Sequence, residues 1–183
     1  MRALVVYESM YGNTHRIAEA IGEGLGEFAE TDVVSVHDAG QERVDLADLL
    51  VVGGPTHVHG MSRDSTRSAA AEAVAKPGAD LALDPDAAGD GVREWLEALT
   101  SVTGRAAAFD TRVDMAAVLS GRASKGIAKE LRRHGYELVA EPESFLVTKD
   151  THLEPDQAER ARSWGRQLGG HLAAQPSSSR VTG

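Results

Sequence analysis

The sequence predicts an α/β protein built on a doubly wound, five-stranded parallel sheet in the order 2-1-3-4-5, with helices on both faces. Three observations carry that expectation. Residues 3–7 and 49–52 are continuous apolar runs, as strands buried on both faces require. Between them Ile17, Ile21, Leu25 and Phe28 recur every three or four residues opposite Arg16, Glu19, Glu23 and Glu27, an amphipathic helix. Strand-like and helix-like stretches then alternate along the chain, as successive βαβ units do.

The elements follow in order. The first strand, residues 3–7, leads through Glu8-Ser9-Met10-Tyr11-Gly12-Asn13-Thr14 into the first helix. Val33, Val34 and Val36 mark the second strand over residues 31–36. A polar connection follows, with a short helical turn before Leu46. The third strand, Leu49-Leu50-Val51-Val52, leaves through Gly53-Gly54-Pro55. Residues 65–76 are Ala-rich and helix-prone. Residues 77–91 hold two prolines, three glycines and four aspartates, which predicts a mobile acidic loop. Val92, Trp95, Leu96 and Leu99 mark a further helix, ended by Gly104. Residues 105–109 form the fourth strand and Asp110 to Val113 the loop after it. Residues 116–119 suit a short turn, and Ile127, Ala128 and Leu131 are the inward side of a helix over 124–134 with Gly135 at its end. The last strand spans residues 136–139 and 144–147, split by a turn at Pro142. Pro155 fits the first turn of the final helix, whose inward stripe is Ala158, Ala161, Trp164, Leu168 and Leu172. The organisation expected is one domain over residues 1–174, with a mobile segment at 63–91 and a disordered Ser-rich tail at 175–183.

Composition narrows the function classes. At 183 residues, 42% hydrophobic and 26% charged, the chain suits one soluble globular domain. The apolar runs are far shorter than the roughly 18 residues of a membrane span, and no signal segment precedes the first strand, so cytoplasmic residence is expected. With no cysteine there is no disulfide, thiolate nucleophile or iron–sulfur cluster, and redox chemistry would need an organic cofactor. A net charge of −9 argues against nucleic acid as a partner.

In a sheet of this order ligands bind beyond the carboxyl ends of the strands, where the winding reverses. That point lies between strands 1 and 3, with strand 4 alongside. Three loops meet there: residues 9–14, 55–62 and 110–114. The first is a polar strand-to-helix turn whose N–H groups and hydroxyls face the positive end of a helix dipole, an anion site suited to phosphate. A plain helix cap by Asn13 or Thr14 is the alternative.

Ser9-x-x-Gly12-x-Thr14 at the first strand-to-helix turn resembles the phosphate loop of the flavodoxin-like family, whose members bind flavin mononucleotide (FMN). In that family the loop holds the phosphate without a basic residue, and here it likewise carries no Lys or Arg. Gly54-Pro55-Thr56 resembles the family's second loop, along the flavin ring. The resemblance implies a cofactor-binding set of Ser9, Met10, Tyr11, Gly12, Asn13 and Thr14, then Pro55, Thr56, His57, Val58, His59 and Gly60, then Phe109, Asp110, Thr111 and Arg112. Gly60 is the candidate for a peptide that reorients when the flavin N5 gains a proton.

Two departures from the carriers of that family stand out. Neither the second nor the third loop has a Trp or Tyr to stack on the flavin, so a face would be open to a substrate or a nicotinamide. Arg112, unless it is a surface ion pair to Asp110 or Asp114, would place a cation near the flavin's pyrimidine edge and favour its anionic reduced form. The expectation is thus an FMN-dependent redox protein that passes electrons to a quinone, nitro or similar small acceptor or to a protein partner, with NAD(P)H as a possible donor. The flavin would do the chemistry, so no side chain is named as catalytic. His57 and His59 could ligate a metal, but only Asp64 lies near them in sequence, and no metal site is expected. The alternatives are a low-potential electron carrier and a non-catalytic scaffold or regulatory domain. A phospho-receiver would need an acidic cluster where the chain has Glu8 and Gly53-Gly54, and a dinucleotide fold would need Gly-x-Gly-x-x-Gly after the first strand.

Overall fold

The computed structural model describes residues 1–57, 60–75, 81–87, 89–100 and 104–174. The expected mobile loop falls partly, and the expected tail wholly, outside them.

Strand β1 (Arg2–Tyr7) sits mid-sheet, parallel to β2 (Glu30–Ser35) on one side and β3 (Leu49–His57) on the other. Beyond β3 lies β5 (Gly104–Val113), also parallel, with Val52 beside Ala108 and Gly54 beside Asp110. The far edge is shared by two short strands, β6 (Tyr136–Leu138) and β7 (Glu143–Val147), which pair with the two halves of β5. They are the one edge strand expected to be split near Pro142, so the order 2-1-3-4-5 holds.

The sheet has seven strands rather than five. One addition comes from splitting the edge strand. The other is β4 (Gly60–Met61), which runs antiparallel to the end of β3 and pairs Thr56 with Met61 and His57 with Gly60. The second site loop is therefore a hairpin on an extended β3. Likewise Asp110 to Val113, expected as a loop, continues β5, because β7 supplies it with parallel partners from Phe109 to Val113.

Alternation in the buried strands builds two cores. Leu4, Val6, Leu50, Val52, Ala106 and Ala108 face α4 (Val92–Ala98) and α6 (Ala123–Arg133), against Trp95, Leu96, Ile127 and Leu131. Ala3, Val5, Leu49, Val51, Ala107 and Phe109 face α1 (Asn13–Leu25) and α7 (Gln157–Ala174), against Ile17, Ile21, Trp164 and Leu168. Burial of each such aliphatic or aromatic side chain contributes about 1.5–3 kcal/mol. Phe28 lies past the end of α1 and is partly exposed, outside the expected stripe. Gly104 opens β5 rather than ending a helix, and Pro155 precedes α7 by two residues.

Glycines set how closely these layers approach. A Cβ on Gly24 would lie 2.1 Å from the Arg162 carbonyl oxygen, and one on Gly165 would lie 2.3 Å from that of Ile21. Helices α1 and α7 thus cross backbone to backbone. Three helices complete the described elements: α2 (Gln41–Leu46), α3 (Asp64–Val74) and α5 (Ala117–Ser120). No described helix is long and apolar enough to cross a membrane.

Candidate functional site

The three expected loops meet at the carboxyl ends of β1, β3 and β5. Glu8 donates its N–H to the Gly53 carbonyl at 3.0 Å, which joins the first loop to β3. Gly54 and Pro55 pair with Asp110 and Thr111, which joins β3 to β5. The hydroxyls of Thr14 and Thr111 lie 2.7 Å apart and close the ring.

In the first loop, Gly12 is the residue before α1 and has φ 82°, the left-handed conformation that glycine adopts without strain. No side chain caps the helix, so the alternative reading of a plain cap by Asn13 or Thr14 does not hold. Asn13 instead donates its amide to the Thr151 carbonyl at 2.7 Å. Ser9, fully buried, accepts the Gly12 N–H at 3.1 Å. The first N–H groups of α1 consequently have no side-chain cap, at the positive end of a 13-residue helix. Thr14 is buried with Thr111. Because each hydroxyl has one proton, one of the pair donates to the other and the second proton stays free for a ligand. Met10 is core, and Tyr11 is half-buried. These features fit a phosphate monoester held by N–H and O–H donors.

In the second loop, Pro55, Thr56, His57 and Gly60 are half-buried, while Val58 and His59 lie outside the described residues. Thr56 accepts the Ala123 N–H at 2.9 Å, which ties the hairpin to the start of α6. Gly60 is half-buried strand, and a Cβ there would meet nothing within 4 Å. His57 has a ring Nε2 that is buried without a hydrogen-bond partner. Burial lowers its pKa, helped by Arg67 and opposed by Glu8, so the ring is neutral at physiological pH.

The third segment departs most from expectation. Phe109 has its ring wholly inside the core, packed over Gly53, where a Cβ would lie 2.1 Å from the ring. Its side chain is therefore not offered to a ligand. Asp110 is also fully buried; one carboxylate oxygen accepts the Ser124 N–H at 2.7 Å, and the other has no partner. Arg112 forms no ion pair with Asp110 or Asp114. It donates to the Met115 carbonyl at 2.7 Å, to the Val113 carbonyl at 3.3 Å and to the Ser120 hydroxyl at 3.3 Å.

Two groups at this end of the sheet carry no local sequence signal. Glu8, nearly fully buried, accepts the Val92 N–H at 2.8 Å and leaves its second oxygen unpartnered. Residues 81–87 fold against the first loop, with the Asp84 N–H donated to the Met10 carbonyl at 2.8 Å. This sets the Asp84 carboxylate beside Gly12, 3.7 Å from where a Cβ would stand.

Comparison with known proteins accords with this geometry. The flavodoxin family model matches residues 5–99, just over half of the chain and including the first two loops. A flavodoxin of Aquifex aeolicus is 39% identical over 59 residues, which cover 31% of this chain and 32% of that protein. An NAD(P)H dehydrogenase (quinone) of Syntrophus aciditrophicus is 50% identical over 34 residues, covering 19% of this chain and 17% of that protein. The chain thus matches about a third or less of the length of these curated relatives. Among solved structures, oxidised flavodoxin 1 of Bacillus cereus superposes with a TM-score of 0.64 at 17% identity, covering 97% of this chain and 100% of that one.

Proposed function

The chain belongs to the flavodoxin family, whose members bind FMN, and from that premise we propose that it is an FMN-dependent redox protein serving a small acceptor of the quinone or nitro class. One observation carries the reading: a left-handed Gly12 opens α1 with no side-chain cap, beside the buried hydroxyls of Ser9 and Thr14. FMN, when bound, supplies reversible one- and two-electron transfer.

The side chains' part is to bind and orient. The N–H groups opening α1 and the spare proton of the Thr14–Thr111 pair hold the phosphate. The hairpin of β3 and β4, fixed through Thr56 to α6, sets the wall for the ring. His57, neutral and with a free ring nitrogen, can accept or donate one hydrogen bond there. The absence of Trp and Tyr from residues 55–62 and 110–114 supports an open flavin face, and with it a small substrate. The similarity to a quinone-reducing dehydrogenase supports the acceptor class and NAD(P)H as donor.

A second reading, an electron carrier for a protein partner, is favoured by Arg112. One terminal nitrogen of its guanidinium is held by the Val113 and Met115 carbonyls, which weakens the case for a cation free to stabilise an anionic reduced flavin. The test is a visible spectrum of the purified protein before and after FMN is added. Flavin bands with fluorescence quenched at one FMN per chain are expected, and NAD(P)H oxidation with quinones then separates enzyme from carrier. No saturable FMN binding would overturn both readings.

A further inference from the structure

Beside the first loop, residues 81–87 and helix α1 bring together a cluster that the flavin reading does not use. Tyr7 donates its hydroxyl to an Asp86 carboxylate oxygen at 2.9 Å, and Asp86 donates its N–H to the Asp84 carboxylate at 3.0 Å. His15, in the first turn of α1, stacks on Tyr7 with ring centroids 4.4 Å apart and planes 20° apart. Its Nδ1 stands 3.3 Å from the Asp84 carboxylate, and its Nε2 stands 3.8 Å from that of Glu19. One ligand atom each from His15, Asp84 and Asp86 lies within 4.8 Å of the other two.

We infer that His15, Asp84 and Asp86 form a binding site for one divalent first-row metal ion of the zinc type.

Four features support it, none of which depends on the flavin reading. First, nitrogen and oxygen ligands lie about 2.0–2.2 Å from zinc, which puts tetrahedral neighbours roughly 3.3–3.5 Å apart. The His15–Asp84 pair already has that spacing, and a carboxylate oxygen of Asp86 lies within 4.8 Å of both. Second, the Asp84 side chain is only 2% exposed, so its carboxylate has lost water, and it forms no ion pair with Lys or Arg among the described residues. A second carboxylate, the half-buried Asp86, adjoins it, and two acids brought together favour a cation beside them. Third, the imidazole is already oriented: Tyr7 packs against its face and Nδ1 is turned to Asp84, while the Glu19 carboxylate stands 3.8 Å from Nε2, near enough to close on it. A carboxylate on the outer nitrogen is the usual support of a metal-bound histidine, fixing its tautomer. Fourth, one imidazole with two carboxylates selects zinc-type ions over magnesium, which prefers all-oxygen shells.

The experiment uses the untagged full chain, stripped with chelator and dialysed against zinc, with bound metal measured by atomic emission and the affinity by calorimetry. One zinc per chain is expected, with no comparable heat from magnesium. His15→Gln and Asp86→Asn should each weaken binding about 10- to 100-fold, with far-ultraviolet dichroism unchanged. In the unsubstituted protein, zinc should shift the ring-nitrogen resonance of His15, which reads the site even if a variant fails to fold. No saturable zinc, an unmoved His15 resonance, or undiminished binding in both folded variants would overturn the inference. The last result would place the ion at other histidines of the chain.

Discussion

The hydroxyl pair Thr14–Thr111 offers a way to separate what the first loop does for the fold from what it does for a ligand. Both residues are buried and their oxygens lie 2.7 Å apart. Thr14→Val keeps the shape and removes one hydroxyl, leaving that of Thr111 buried without a partner. An unsatisfied buried group costs about 1–3 kcal/mol, whereas removing both partners in favour of apolar groups of the same shape is nearly neutral. Urea unfolding of the apo-protein should therefore show Thr14→Val destabilised by about 1–3 kcal/mol, with much of the loss restored in Thr14→Val/Thr111→Val.

Binding should not follow that pattern. If the spare proton of the pair donates to a phosphate, its loss removes a hydrogen bond to a charged group, worth about 1.5–3 kcal/mol. At 1.4 kcal/mol per tenfold, FMN affinity should fall about 10- to 150-fold in Thr14→Val. The double variant should stay as weak, although its stability is recovered. Fluorescence titration of FMN measures this directly. A double variant that binds FMN within twofold of the parent would refute the assignment of these hydroxyls to the phosphate.

Three further outcomes follow. Gly165→Ala places a methyl 2.3 Å from a backbone oxygen that cannot yield, so overpacking of about 1–3 kcal/mol should exceed the gain in helix propensity; Gly170→Ala, with nothing within 4 Å, should instead stabilise by about 0.5–1 kcal/mol, and equal urea midpoints would refute the argument. The lowered pKa of His57 means the unfolded chain, titrating near 6.5, takes up a proton before the folded one, so stability is full above that pH and falls as pH drops through it toward the folded value; His57→Gln should flatten this part of the urea-midpoint profile between about pH 7.5 and 5, and an unchanged slope would refute the burial argument. In chelator-treated protein, Asp84→Asn removes a like charge beside Gly12 and should tighten FMN binding about tenfold, or 1.4 kcal/mol, and an unchanged affinity would mean that the carboxylate does not act on the phosphate.

How much of this was legible in the sequence depends on the range of the interactions. Strand β1, helix α1 and the turn between them were readable because each rests on local pattern: an unbroken apolar run, a helical stripe and a glycine at the turn. The parallel order followed from the alternation of elements and their handedness. The fate of Phe109 and Asp110 could not be read in the same way. Phe109 was legible as strand but not as a side chain turned into the core, and Asp110 continues β5 because β3 on one side and β7, more than thirty residues later, on the other both supply backbone partners. Arg112 is a different case: its partners are close in sequence, but they are the carbonyls of Val113 and Met115 and the Ser120 hydroxyl rather than the neighbouring acids, and composition does not tell these apart.

The acidic stretch after α3 shows the limit most clearly. Four aspartates among glycines and prolines predict a solvated loop by composition alone. Yet Asp84 is buried, because its N–H reaches Met10 and its side chain reaches His15 and the Asp86 N–H, and none of these bonds has a periodicity to announce it. The consequence is electrostatic. A loop shaped for an anion, with no Lys or Arg of its own, has a carboxylate folded against its glycine. The two negative groups sit together more easily if a cation stands beside them, and His15, 3.3 Å from Asp84, is the residue placed to bring one as a metal ligand. Anion binding at Gly12 and cation binding at His15 must then favour each other by the same factor, since a coupling between two sites acts equally in both directions. FMN titrated with and without zinc, and zinc titrated with and without FMN, should close that cycle; two titrations that each ignore the other ligand would show that Asp84 faces the loop without acting on it.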